Sequence, residues 1–219
     1  MGYALFWGVL YGLLDTVAQW IGGAAPPFMM LAYACLLVIW LGKQGWLARF
    51  YLCLPTVRDP RVCLHLLPLL FFMTVNLAER GGGPPLSLAL VLMAGTVMTE
   101  EIVFRGVLLR VLEKLPPLMG VLLSATIFAL FHLVNAMGQT DGLFILYSLL
   151  YAFAAGVLYA AVTLHFNSLI PAAVGHYLAN VTAPDGGEHP SVLFLLCMAV
   201  CALWGILLGR KGGQSMKGE

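Results

Sequence analysis

The sequence predicts an all-α fold, a polytopic membrane helix bundle of about eight transmembrane helices that encloses a polar site. Apolar residues make up 61% of the chain, and the mean hydropathy is +0.94. They are grouped in runs that approach or exceed the roughly 18 residues needed to cross a hydrocarbon core. Only 10% of the residues are charged, yet some of these charges lie inside the apolar runs. We therefore expect one integral-membrane domain over residues 1–219.

Gly, Pro and charged residues separate the apolar runs and set the predicted boundaries. A segment over residues 42–61 mixes basic residues with Trp46, Phe50 and Tyr51, which predicts an amphipathic stretch on the membrane surface. Turn residues predict loops at 79–85, 138–142 and 183–188. In chain order, the predicted spans are residues 3–22, 27–42, 62–78, 86–112, 118–136, 143–164, 168–182 and 191–209.

The basic residues predict the orientation of the chain in its membrane. With eight spans, one side has Arg80 alone as its basic residue, and the other side has Lys43, Arg49, Arg58, Arg61, Arg110, Lys114, Arg210, Lys211 and Lys217. Because basic loops stay on the cytoplasmic side, both termini are expected in the cytoplasm. The short chain and compact loops are typical of a bacterial protein, so we expect the inner (cell) membrane.

Composition also excludes several classes of function. The net charge is +1 and the basic residues form no stripe, which argues against nucleic-acid binding. The five Cys are scattered without a C-x-x-C pair, so neither a disulfide framework nor a structural zinc site is expected. We expect no cofactor and no resident metal ion.

The adjacent acids Glu100 and Glu101 lie inside the predicted span 86–112. A charge near the bilayer centre costs about 2.5–3.5 kcal/mol on insertion scales, so such residues indicate a functional site. Glu101 can pair with Arg105 one helical turn later, while Glu100 is rotated by about 100° and remains free. A carboxylate in apolar surroundings accepts a proton more readily than one in water, as a general base must. A buried polar knot or an ion path remains an alternative for these three residues.

Two further spans carry polar side chains. His132 follows Phe128 by four residues, and Asn135 comes three residues later; His176 and Asn180 lie one turn apart on one helix face. Alone, each set is typical of hydrogen bonds between membrane helices, worth about 0.6–2 kcal/mol. Together they match the needs of hydrolysis, which requires a base, a group that orients water, and donors to the developing oxyanion.

Three motifs occur in order on predicted spans: E-E-x-x-x-R at 100–105, F-x-x-x-H at 128–132 and H-x-x-x-N at 176–180. This set resembles the CPBP family of CAAX prenyl proteases and bacteriocin-processing enzymes, also called the ABI family, over about residues 85–182. The resemblance implies an all-helical, glutamate-dependent intramembrane endopeptidase. It implies that Glu100 and His132 activate water, that His176 and Asn180 form an oxyanion hole, and that Glu101 and Arg105 support them.

The three motifs say less about the substrate than about the reaction. Members of the family cut after a prenylated Cys, trim peptide pheromones or bacteriocins, or process C-terminal sorting signals, and their shared motifs do not choose among these. Because the chain has bacterial features, we expect its partners to be membrane lipid and a membrane-anchored peptide or C-terminal signal segment.

Three alternatives use the same polar residues. A membrane metalloprotease could bind Zn²⁺ with ligands drawn from two His and two Glu, although no H-E-x-x-H motif is present. A transporter could use intramembrane Glu, His and Asp15 as a relay, although no inverted repeat is evident. A nonenzymatic scaffold is the third. Asp15 with Gln19 is otherwise predicted to pair structurally with another helix.

Overall fold

The computed structural model describes residues 2–22, 25–55, 60–79, 86–133, 141–183 and 191–215. Within these ranges all regular structure is helical, which confirms the predicted all-α class. The α-helices are α1 (Gly2–Ile21), α2 (Ala25–Lys43), α3 (Leu67–Glu79), α4 (Leu86–Glu100), α5 (Leu109–Leu112), α6 (Pro117–Phe131), α7 (Gly142–Phe166), α8 (Ile170–Thr182) and α9 (Val192–Ser215). A π-helix (Glu101–Leu108) joins α4 to α5, and short 3-10 helices cover Ala48–Phe50 and Pro60–Leu66.

Each predicted span overlaps helical structure: the span 62–78 covers the second 3-10 helix and α3, the span 86–112 covers α4, the π-helix and α5, and each of the others overlaps a single α-helix. Among the described residues, three helices are long and apolar enough to cross a membrane: Ala25–Lys43, Gly142–Phe166 and Val192–Arg210. The apolar helices Cys63–Ala78 and Pro117–Phe131 are shorter. A total of eight spans remains a prediction.

The structure differs from the prediction at the end of the fifth span and in the segment that follows α2. Helix α6 ends at Phe131, and His132 is its C-cap residue rather than a residue inside the helix. The segment after α2 turns inward: Phe50 and Tyr51 are buried, and the Leu169 N–H donates to the Tyr51 carbonyl at 2.9 Å. Burial inside the bundle removes more of the apolar surface of these aromatic rings from water than a position on the membrane surface would.

Some predicted features lie outside the described residues. They are the loop residues 80–85, 138–140 and 184–188, together with Arg58, Arg80, Asn135 and Lys217.

Helix α7 is the central helix of one half of the bundle, where it packs against α6, α8 and α9. In the other half, α2 packs against α1 and α4. The buried side chains form two apolar clusters: one joins α1 and α2 to the π-helix, and the other joins α3 to α7 and α9. Both clusters include residues of α6 and α8, so the boundary between them follows these two helices. Arg105 lies at this boundary, because its guanidinium is placed over Phe128 of the first cluster and Tyr159 of the second.

The crossing of α7 and α9 depends on a close approach at Gly205. A Cβ there would lie 2.9 Å from the backbone N and Cα of Leu158, which cannot move aside as a side chain could. We expect Gly205→Ala to lower the free energy of unfolding by about 1–3 kcal/mol, the usual cost of overpacking, in thermal unfolding of the detergent-solubilised protein. The control Gly8→Ala, on a helix position with open space around it, should cost nothing. Equal stability of the two variants would contradict this packing.

Candidate active site

The two glutamates lie at the junction between α4 and the π-helix. Glu100 is the last residue of α4, and Glu101 is the first of the π-helix. The sequence predicts a regular helix here, but the structure has the wider i→i+5 turn that often marks functional sites. A wider turn reduces the angle between successive side chains, so the adjacent carboxylates diverge less than in an α-helix. Both therefore reach the same partner on α8.

Glu101 forms the predicted pair with Arg105. Its Oε1 lies 3.2 Å from Arg105 Nη1, and both side chains are fully buried. The guanidinium also stacks over aromatic rings, since its Cζ lies 4.0 Å from the Phe128 centroid and 5.5 Å from that of Tyr159. Cation–π contacts of this kind are worth about 2 kcal/mol or more when desolvated. The buried arginine is held by one carboxylate and two rings.

His176 bridges the two glutamates. Its Nδ1 lies 2.8 Å from Glu101 Oε1, and its Nε2 lies 3.6 Å from Glu100 Oε2. Because the ion-paired carboxylate of Glu101 can only accept, Nδ1 carries a proton and donates it. The imidazole is stacked on Tyr159 with centroids 5.0 Å apart and an interplanar angle of 22°. The ring is thus held in one orientation, with Nε2 directed toward Glu100.

Glu100 has a different neighbour at each carboxylate oxygen. Its Oε1 accepts a hydrogen bond from the Tyr11 hydroxyl at 3.3 Å, while Oε2 faces His176. The side chain is buried, as expected for a base withdrawn from bulk water. Tyr11 is not among the site residues predicted from the sequence. The feature of the sequence that could have indicated Tyr11 is its spacing from Asp15, since these two polar residues lie one turn apart on an apolar helix.

His132 and Asn180 lie at the edges of this cluster. His132 Nδ1 is 3.0 Å from the Phe128 carbonyl oxygen, and its ring packs on Phe128 with centroids 4.4 Å apart. Asn180, one turn beyond His176 on α8, lines an open cavity of about 380 Å³ together with Asn76 and Tyr151. The structure brings Glu100, Glu101, Arg105 and His176 together. It links His132 to them through Phe128, whose ring also meets His176 edge-on at 6.0 Å.

The described residues contain no group of three or more His, Cys, Asp or Glu side chains placed to hold a metal ion. The cysteines are free thiols, namely Cys35, Cys53, Cys63, Cys197 and Cys201.

Residues 82–182 match the family model described as Type II CAAX prenyl endopeptidase Rce1-like. Over this segment the chain is similar to that family. The match confirms the resemblance predicted from the three motifs, and it includes the π-helix, α6 and α8 but not α1. No curated protein and no solved structure matches the chain.

The similarity to the Rce1-like family implies a peptidase. With helices long and apolar enough to cross a bilayer, the chain is an integral membrane protein. Its surroundings are lipid, and the family match indicates a peptide substrate.

Proposed function

We propose that the protein is an intramembrane endopeptidase that hydrolyses a peptide bond in a membrane-anchored peptide or C-terminal signal segment, with Glu100 as the base. The observation that carries the proposal is the placement of His176 between two buried carboxylates, one of which is neutralised by Arg105. Two adjacent acids in an apolar bundle are costly without a chemical use. Glu101 supports the imidazole of His176, and one oxygen of Glu100 faces the same ring.

The proposed reaction needs no covalent enzyme intermediate. Glu100 removes a proton from water as the water oxygen bonds to the carbonyl carbon, and the carbonyl electron pair moves to its oxygen. His132 orients the attacking water. When the oxyanion reforms the carbonyl, the C–N bond breaks and the proton on Glu100 passes to the leaving nitrogen. Atoms and charge balance, and Glu100 is regenerated as a carboxylate.

His176 and Asn180 are proposed to stabilise the oxyanion. Since Nδ1–H of His176 is directed at Glu101, the proposed donor to the substrate oxygen is Nε2, on the side of the ring that faces Glu100. The side-chain amide of Asn180 supplies the second donor from the cavity wall. Donors aimed at the site of developing charge are typically worth about 10²–10³ in rate. Glu101 and Arg105 act through His176 by fixing its orientation.

The cavity beside Asn180 offers a place for an apolar part of the substrate. Its walls include Phe72, Tyr151 and Phe194, whose rings contact one another at centroid distances of 5.6–5.9 Å. An apolar pocket with few polar groups suits a hydrophobic peptide segment. The family description names a prenyl endopeptidase, whereas the bacterial features of the chain favour a substrate held by its own apolar segment.

The substrate class can be tested in proteoliposomes with two quenched-fluorescence peptides. One is anchored by an apolar helix, and the other ends in a prenylated CAAX sequence. We expect the helix-anchored peptide to be cut faster. Exclusive cutting of the prenylated peptide would overturn the substrate class but keep the endopeptidase, whereas cleavage of neither peptide would count against the proposed function.

The orientation is also a proposal, in which both termini face the cytoplasm of a bacterial cell and residues 1–219 form one domain. Basic residues lie near one end of the bundle, where Arg110 Nη1 bonds Glu113 Oε1 at 2.7 Å and Tyr51 donates to the same carboxylate. Burial, followed by the Glu113 carboxylate, raises the pKa of Tyr51, so this hydroxyl remains a donor. The positive-inside rule supports a cytoplasmic position for this end.

Removal of metal distinguishes the glutamate mechanism from a zinc mechanism. We expect cleavage to be unchanged after treatment with a strong zinc chelator, because Glu100 rather than a metal activates the water. A known zinc metalloprotease in the same vesicles should lose activity. One zinc per purified chain, with activity lost on its removal and regained on its return, would overturn the glutamate mechanism.

A further inference from the structure

Helix α1 lies outside the segment that matches the family model, yet it borders the polar cluster. It presents Tyr11 and Asp15, which lie one turn apart on the same face. Tyr11 is buried, with an exposed fraction of 4%. The roles proposed above for the motif residues leave this side chain unexplained.

Packing on both sides fixes the position of the Tyr11 ring. It meets Phe104 of the π-helix edge-on, with centroids 5.5 Å apart at 88°, and it packs on Phe131 at 5.7 Å. The neighbouring Gly12 allows this approach, since a Cβ there would lie 3.1 Å from the Phe131 ring. Phe104 follows Glu101 by three residues in the π-helix, and Phe131 immediately precedes His132. The hydroxyl is therefore held relative to both proposed water-activating residues.

We propose that Tyr11 is a positioning residue for catalysis, whose hydroxyl holds Oε1 of Glu100 so that Oε2 is the oxygen that takes the proton from water. This inference rests on the proposed role of Glu100 as the base. The terminal torsion of a glutamate is broad and roughly two-fold, so the carboxylate would otherwise sample several rotations. A hydrogen bond of 3.3 Å to Oε1 selects the rotation in which Oε2 faces His176. Preorganisation of the reacting atom is a recognised source of rate.

Asp15 adds to the polar face of α1. It lies one turn before Gln19 on its own helix and is near enough to His132 for an electrostatic interaction. The same face of α1 thus contacts Glu100 through Tyr11 and acts on His132 through Asp15. A helix that served only to fill the bundle would not require the hydrogen bond from Tyr11 to Glu100.

The test compares two buried tyrosine hydroxyls on the same side of the bundle. Tyr11→Phe keeps the ring and removes the bond to Glu100. The matched control Tyr33→Phe removes the bond from the Tyr33 hydroxyl to the Trp7 carbonyl, a 2.6 Å contact that does not involve Glu100. Cleavage of the helix-anchored quenched peptide, expressed per monodisperse folded protein, gives kcat and KM for each variant, and thermal unfolding gives stability.

We expect Tyr11→Phe to lower kcat about tenfold with KM unchanged, the size expected for one lost hydrogen bond. Tyr33→Phe should keep the wild-type kcat, and its loss of stability should be similar to that of Tyr11→Phe. An unchanged kcat in Tyr11→Phe, an equal fall in both variants, or failure of Tyr11→Phe alone to fold would overturn the positioning role. If Tyr11→Phe is fully active while Glu100→Gln is inactive, this inference fails and the proposed function stands; if both are fully active, the proposed function fails as well.

Discussion

Replacing Glu100 by Gln is expected to abolish peptide cleavage and leave the fold intact. The amide keeps the size of the side chain and an oxygen that can accept from Tyr11, but it cannot take a proton from water. General-base catalysis contributes about 10²–10⁴ in rate, so we expect a fall of about 10³-fold or more. Removing a buried carboxyl group should not lower stability, since a neutral amide is less costly to desolvate. The quenched peptide measures the rate, and thermal unfolding verifies the fold.

The matched control for this prediction is Glu113→Gln. It removes a carboxylate from the C-cap residue of α5, where Glu113 contacts Arg110 and Tyr51 outside the proposed site. Its cleavage rate should remain that of the wild type. Full cleavage by Glu100→Gln would rule out Glu100 as the base.

The same variant can identify the natural substrate. Host membranes that carry the wild type or Glu100→Gln can be compared by proteomics for new peptide C-termini. A short set of membrane peptides left uncut in the variant would give the substrate class. No difference between the strains would favour a transporter or a scaffold.

Replacing Arg105 by Met is expected to cost about 3–5 kcal/mol of unfolding free energy, the largest loss of stability predicted for this chain. Glu101 would remain fully buried without the partner that now lies 3.2 Å away. The stacking of the guanidinium on Phe128 and Tyr159 would also be lost. Denaturation of the purified protein in mixed micelles measures the change.

Two further variants separate the cost in stability of an unpaired buried charge from the cost of lost packing. Arg110→Met breaks the partly exposed ion pair with Glu113, and such pairs are worth about 0–1 kcal/mol. The double variant Glu101→Gln with Arg105→Met should recover much of the stability, because no unpaired charge remains in the bundle. It should not recover cleavage, since His176 loses its carboxylate. A cost of Arg105→Met no greater than that of Arg110→Met would contradict the buried ion pair.

The sequence by itself determined the all-helical class, the positions of the helical elements and the pairing of Glu101 with Arg105. These are local properties: apolar run length decides which segments can span a membrane, and a spacing of four residues places two side chains on one helix face. The order of the three motifs was sufficient to indicate the family. None of this required knowledge of which helices are neighbours.

Only the tertiary structure decided how the polar residues meet. It brings Tyr11 to Glu100 across 89 positions of sequence and His176 to Glu101 across 75, and it encloses Arg105 between Phe128 and Tyr159. Such contacts depend on helix packing, which the periodicity of one segment does not encode. The π-helix was likewise not evident from the sequence, because the apolar pattern of residues 86–112 is compatible with a regular α-helix. In the structure, the wider turn contains the buried pair of Glu101 and Arg105. The sequence therefore identified the chemical groups, whereas helix packing decided that Glu100 lies between Tyr11 and His176, with one carboxylate oxygen toward each.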